Sequence, residues 1–323
     1  MAMLRSSPTV VGFRAMLAAI AAALLAPAGA FAYGWPVAPF DTQHAIRGAF
    51  DDPRFGTGPG GLAETSFHFG VDIVATDGTP VYAVASGTVF RYPDAVAVRQ
   101  PDGHEFSYWH IDAVVGEHSE AEKGELLGYV RAGWGHVHFA ESDGRGLYVN
   151  PLRPGGLEPY SDWTAPVVGP IEVRGAARAP LRLDSVHGRI DITVDAYDVP
   201  PLVPAPPWQN ARWTPALVRW RLLRNGAEAI PWRTAADFRT TWVPPVEFNE
   251  IYAPGTTQNR PWQSGRYVFW LAHGLDTAAL QNGEYRLEVA AEDTRGNTGT
   301  TSLALDIQNA NAQSAKTTNR SSR

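Results

Sequence analysis

Cysteine is absent from all 323 residues. That excludes disulfides, a thiol nucleophile and thiolate metal ligands, so any metal must be held by His, Asp or Glu. The absence does not assign a compartment; it says only that export, if it occurs, is not used for cross-linking. Beyond the first thirty residues no apolar run approaches the ~20 residues a bilayer needs, and from 33 to about 160 no stretch sustains a helical period. A charged fraction of 19% against a hydrophobic fraction of 44% describes a globular chain rather than a disordered one. Positive charge is scarce in the first half: Tyr33 to Asp162 carries 18 acidic and 8 basic residues, whereas Trp163 to Arg323 carries 15 acidic and 17 basic. The acidic half repels phosphates, so no nucleic-acid partner is expected.

At the N-terminus, Arg5 and Arg14 precede an apolar run, Ala15 to Ala26, that meets Pro27 and Gly29. Ala30-Phe31-Ala32 then supplies a small-x-small cleavage pattern. Residues 1–32 are therefore expected to be a signal peptide, and the protein to be exported to the periplasm or the exterior. A retained membrane anchor is the competing interpretation, and the short run with its Pro and Gly opposes it.

Residues 33–162 read as short strands separated by turns. Asp72-Ile73-Val74-Ala75, Thr79 to Ala85, Thr88 to Tyr92, Val96 to Arg99, Glu105 to His110 and Leu126 to Val130 alternate with turn signals such as Thr76-Asp77-Gly78 and Pro101-Asp102-Gly103. The Glu-rich stretch Glu117 to Glu122 is expected to be a loop. Prolines at 151, 154, 159, 166 and 170, with Gly155 and Gly156, mark a domain boundary. Past it, Gly188 to Ala196, Gly283 to Ala291 and Thr300 to Ile307 alternate apolar and polar residues, the last two joined by the turn Asp293 to Asn297. The fold class expected is all-β and antiparallel, with a sheet domain over 33–162, a β-sandwich over 163–308 and a polar tail over 309–323. Seven tryptophans between Trp208 and Trp270 read as packing in that sandwich, with a sugar-binding platform as the alternative.

The nine histidines are unevenly placed. His68-Phe69-Gly70-Val71-Asp72 sets an imidazole and a carboxylate an even number of residues apart, on one face of an extended chain. His136-Val137-His138 projects two imidazoles to one side of a strand, and His110 ends a third strand-like run. A hydrolytic zinc takes three protein ligands and leaves one position open. His, Asp and His meet that count and leave two imidazoles for proton transfer or oxyanion stabilisation. His44, His104, His118, His187 and His273 have no partner motif and are expected to be solvated or structural. Asp195, Asp198, Asp293 and Asn297 have calcium-ligand chemistry, but they are also ordinary turn residues.

With these pieces in order, residues from about Trp35 to Leu152 resemble the lysostaphin-type (LytM) zinc metallopeptidases of bacterial cell walls. The resemblance rests on Gly48 to Arg54, His68 to Asp72, Gly78 to Ala83, Gly87-Thr88-Val89, Tyr108-Trp109-His110-Ile111, Lys123 to Gly128, His136-Val137-His138-Phe139 and Asn150-Pro151-Leu152. It implies Zn2+ on His68, Asp72 and His138, with His110 and His136 off the metal as catalytic residues. It also implies peptidoglycan peptides as substrate, cut in cross-links or stem peptides, and an Ig-like character for the following sandwich. Two departures stand out: Arg131 to Gly135 replaces the family's Ser/Thr-Gly-Pro run, and Ala140 stands where a Glu often follows the His pair, with Glu141 one place later. LytM-like domains also serve as inactive regulators that activate cell-wall amidases. Those usually lose ligands, which this chain keeps.

Overall fold

The computed structural model describes residues 32–57, 63–175 and 179–310. The expected signal peptide, apart from Ala32, and residues 311–323 of the expected tail lie outside them. The described chain is all-β apart from short helical turns, with antiparallel sheets, in keeping with its alternating pattern.

The first unit contains β1 (Ile46–Gly48), β2 (Pro53–Thr57), β3 (Ala63–Phe67), β4 (Val71–Val74), β5 (Pro80–Tyr82), β6 (Gly87–Tyr92) and β7 (Ala95–Arg99). It continues with β8 (Glu105–Trp109), β9 (Ile111–Ala113), β10 (Glu120–Ala121), β11 (Leu126–Val130), β12 (His136–Ser142) and β13 (Tyr148–Val149). The main sheet runs β1-β4-β12-β8-β7-β6-β10, with β13 on the end of β12, and a second sheet runs β5-β11-β9. Val71, Ile73, Val96, Val98, Val137 and Phe139 are buried in a shared core with Val81 and Leu127 of the second sheet. The Tyr108 hydroxyl accepts from Val84 N at 2.8 Å, so a main-sheet side chain also bonds to the segment after β5. Within Glu117 to Glu122, expected to be a loop, Glu120 and Ala121 instead pair with Thr88 and Gly87. The reason is local: Ala121 is buried, and the Glu120 carboxylate accepts from the Thr88 hydroxyl.

The second unit contains β14 (Val167–Gly175), β15 (Arg189–Tyr197), β16 (Leu217–Arg224), β17 (Ala227–Asp237), β18 (Val268–Asp276), β19 (Gly283–Glu292) and β20 (Thr298–Ile307), with one helical turn, α1 (Phe248–Ile251). One sheet is β14-β15-β18 and the other β17-β16-β19-β20. Their facing residues, among them Ile192, Val194, Trp220, Leu222, Phe269, Leu287 and Val289, form a second core.

The two cores interlock. Phe67, at the end of β3, is buried in the second core against Phe238, Phe248 and Tyr252, and Trp213 is buried in the first. Trp242 donates its indole N–H to Phe67 O at 2.8 Å, Thr214 N donates to Asp52 Oδ1 at 2.8 Å, and Asn150 bonds to the backbone of Thr240 and Phe238. Deleting a buried aromatic costs about 3–5 kcal/mol. Phe67→Ala is therefore expected to reduce the unfolding free energy of the whole chain by about that amount, in one transition. Two separate transitions, with the second unit unaffected, would contradict the interlocked packing.

Candidate metal centre

Strand register assembles the site. On β12, His138 lies directly across from Asp72 of β4 on one side and Trp109 of β8 on the other. A residue pair so opposed has its Cβ atoms about 5 Å apart, close enough for the two side chains to meet. His136 projects to the same face two residues earlier. His68 precedes β4 and is strapped to the turn before β2: His68 N donates to Asp52 O at 3.0 Å, and Asp51 N donates to His68 O at 2.8 Å. His110 follows β8 immediately. Gly70 has to be glycine, because a Cβ there would lie 2.3 Å from Phe139 O and 2.9 Å from His138 Nε2.

Three donor atoms converge. His68 Nε2 lies 2.7 Å from His138 Nδ1 and 3.1 Å from Asp72 Oδ1, and His138 Nδ1 is 3.2 Å from the same oxygen. Neighbouring ligands of a tetrahedral zinc with ~2.0–2.1 Å bonds stand about 3.3 Å apart, so the donor set fits with little adjustment. The hydrogen bonds around it agree. His68 Nδ1–H donates to Ala49 O at 2.8 Å, which leaves Nε2 as a lone-pair donor to a cation. Arg54 Nη2 donates to Asp72 Oδ2 at 3.1 Å, leaving Oδ1 toward the imidazoles.

Electrostatics keep the ligands in binding form. Burial, with the nearby Arg54 guanidinium, brings the His68 imidazole down to about 3, and burial lowers His138 as well. Burial alone would raise Asp72, but the surrounding imidazoles, His68 foremost, hold its carboxyl well below the usual range. Two neutral imidazoles and one carboxylate are the protonation states a divalent cation needs.

His110 and His136 flank this cluster without joining its shortest contacts. His136 Nε2 is 3.5 Å from Asp72 Oδ1, and the His110 ring centroid lies 6.3 Å from that of His138. His110 adopts φ +66°, a left-handed conformation that is uncommon for a side-chain-bearing residue. Backbone bonds from His110 N to Asp94 O and from Arg131 N to His110 O hold it there. The Trp134 ring stacks on its imidazole at 3.6 Å and 8°. Burial and the neighbouring His136 and His138 bring His110 down to about 3, and its Nδ1 is buried without a partner.

The site lies in a cleft of about 400 Å³ lined by Arg47, Arg54, Trp109 and Trp134 as well as the five residues singled out from sequence. Spacing did not single out Arg47, Arg54 or Trp134 for a role, since lone Arg and Trp carry no periodic signature. Elsewhere, His104 bonds to Glu141, which also takes two 2.6 Å bonds from Arg153 and a hydrogen bond from the Tyr33 hydroxyl. His104 is thus structural, and Glu141 anchors the far end of β12 rather than facing the cleft. Of the acidic residues with calcium chemistry, Asp195 pairs with Arg266. Asp198 and Asp293 instead gather with Asp162, all three buried.

Burial and the Asp162 carboxylate push Asp198 up to about 8. A carboxyl raised in the folded state favours folding below its unfolded value near 3.9, and that contribution is lost as pH rises through about 8. The thermal midpoint of the protein should therefore fall more steeply between pH 5 and 9 than that of Asp198→Asn. Parallel slopes would contradict this.

Residues 66–151 match the model of peptidase family M23. A DD-carboxypeptidase/endopeptidase Mpg of Neisseria meningitidis serogroup B is 35% identical over 95 residues, covering 26% of this chain and 22% of its own length, and the Neisseria gonorrhoeae protein of the same name matches equally. The chain thus spans about a fifth of these curated relatives. Among solved structures, the catalytic domain of the prophage-encoded M23 protein EnpA from Enterococcus faecalis is 24% identical over 38% of this chain and 98% of that one, with a TM-score of 0.28. A zinc-containing peptidase from Vibrio cholerae is 21% identical over 34% of this chain and 36% of that one, with a TM-score of 0.27.

Proposed function

We propose that the chain is an exported zinc metalloendopeptidase that hydrolyses peptide bonds in peptidoglycan cross-links or stem peptides. Its peptidase domain spans 33–162 and an Ig-like sandwich spans 163–308. The observation that carries this is the convergence of His68 Nε2, Asp72 Oδ1 and His138 Nδ1 within 3.2 Å, beside two imidazoles left for chemistry. Bound zinc supplies a Lewis acid able to bring the pKa of water to about 7. His68, Asp72 and His138 hold it. His110 and His136, adjacent at 4.8 Å between ring centroids, are the imidazoles left for proton transfer and for stabilising the developing oxyanion. Phe69, Trp109 and Trp134 wall the cleft. The three- and four-stranded sheets of the second unit support the Ig-like assignment. Export rests on Arg5, Arg14 and the apolar run that ends before Ala30-Phe31-Ala32.

The test is digestion of purified sacculi followed by mass spectrometry of the released muropeptides. The expected products differ from untreated wall by hydrolysis of a peptide bond. Release of intact sugar fragments with uncut peptides, or no release at all by zinc-loaded protein, would overturn the assignment.

A further inference from the structure

The cleft contains a cation that its own carboxylate does not neutralise. Arg54 pairs with Asp72 Oδ2, and Asp72 Oδ1 faces the imidazoles, so Arg47 makes no direct bond to Asp72 and shares its one charge with Arg54. Arg47, half-buried on β1, donates instead to Trp134 O and to His136 Nε2, each at 3.3 Å. His136 can accept because its other nitrogen donates to Trp134 O at 2.9 Å. These bonds use two of the five guanidinium donors. Trp208, from the second unit, lies under the guanidinium at 4.4 Å and holds it at the cleft wall. Withdrawing a charge from water without an opposite partner is costly, and a planar fork is suited to bidentate carboxylate binding.

We propose that Arg47, seated on Trp208, is a specificity residue that binds a substrate carboxylate next to the scissile bond. The inference rests on the peptidase reading above and narrows its substrate class to peptides with a carboxylate close to the cut. Distance sets how close. His136 Nε2 alone separates Arg47 from Asp72 Oδ1, at 3.3 and 3.5 Å. An extended chain advances about 3.3–3.6 Å per residue, so the carboxylate belongs within roughly two residues of the scissile bond. Two sources share this chemistry: the α-carboxylate of a chain end and the side chain of an internal acidic residue. The arrangement also gives the second unit a role, since Trp208 orients the group that selects the substrate.

The experiment uses the zinc-loaded full chain with three synthetic stem peptides. One ends in a free carboxylate, one is its C-terminal amide, and one is the amide with an acidic side chain a single residue inward. Turnover is measured with the wild type, and binding with His110→Ala. The wild type should favour one carboxylate-bearing peptide over the plain amide by about 10- to 100-fold, as a charge-assisted pair allows; which of the two wins identifies the source. Arg47→Ala should bring that peptide to the level of the amide through KM, and Arg47→Lys should restore part of the preference. Trp208→Ala should weaken it with Arg47 intact. Equal treatment of acid and amide by the wild type would overturn the proposal while peptide turnover upheld the peptidase reading. An equal loss of kcat on all peptides in Arg47→Ala would also overturn it, making Arg47 only a support for His136. Carboxylate-selective binding lost in Arg47→Ala, with no turnover by the wild type, would uphold the proposal and sink the peptidase reading.

Discussion

Replacing His138 by alanine is expected to release the metal and bring turnover to background. Its Nδ1 is one of three donors within 3.2 Å, so the substitution leaves one imidazole and one carboxylate for a cation that needs three protein ligands in a hydrolytic site. Lewis-acid stabilisation is worth several kcal/mol. At about 1.4 kcal/mol per tenfold, its loss costs about 10³-fold in rate or more. The ring also contacts Phe69 at 4.5 Å between centroids, so folding has to be checked by thermal unfolding of the variant. Metal analysis and peptide turnover should fall together. A folded variant that kept stoichiometric zinc and full activity would remove His138 from the site.

His110→Ala should do the reverse with the metal: keep it and lose turnover. The His110 ring lies outside the donor cluster, 6.3 Å from that of His138, so zinc affinity should hold. A positioned proton carrier contributes about 10²–10⁴-fold, and that is the expected fall in kcat. Burial and its histidine neighbours bring His110 down to about 3, so its imidazole is unprotonated across neutral pH. The two variants together separate binding from chemistry. Equal metal loss in both would mean that His110 is a ligand, and unchanged kcat in His110→Ala would place proton transfer elsewhere.

The site was readable in sequence where spacing maps onto strand geometry. His136 and His138 share a face because alternate residues on a strand do, and Asp72 lies across from His138 because the two strands are neighbours in register. Arg47, Arg54, Trp134 and Trp208 were opaque because their roles come from pairing over long sequence distances: Arg47 meets His136 and Trp208, and neither separation leaves a local pattern. The same holds for the fold. Leu126 to Val130 shows as a strand in sequence and in structure, whereas β14, β16, β17 and β18 of the second unit, and the short β1, β2, β3, β9 and β13 of the first, went unforeseen. On β16, Val218 to Leu222 alternates apolar residues with arginines, and the apolar pairs Leu217-Val218 and Leu222-Leu223 blur that pattern at its ends. Phe67 is the clearest case. It belongs in sequence to the first unit but is buried in the core of the second, and only the folded chain reveals that.

The most direct measurement is anomalous diffraction at the zinc edge from crystals of the full chain grown with one equivalent of zinc. The expected result is a single peak bounded by His68 Nε2, Asp72 Oδ1 and His138 Nδ1. A peak at Asp162, Asp198 and Asp293 instead, or none at the histidine cluster, would contradict the assignment of a catalytic zinc to this cleft.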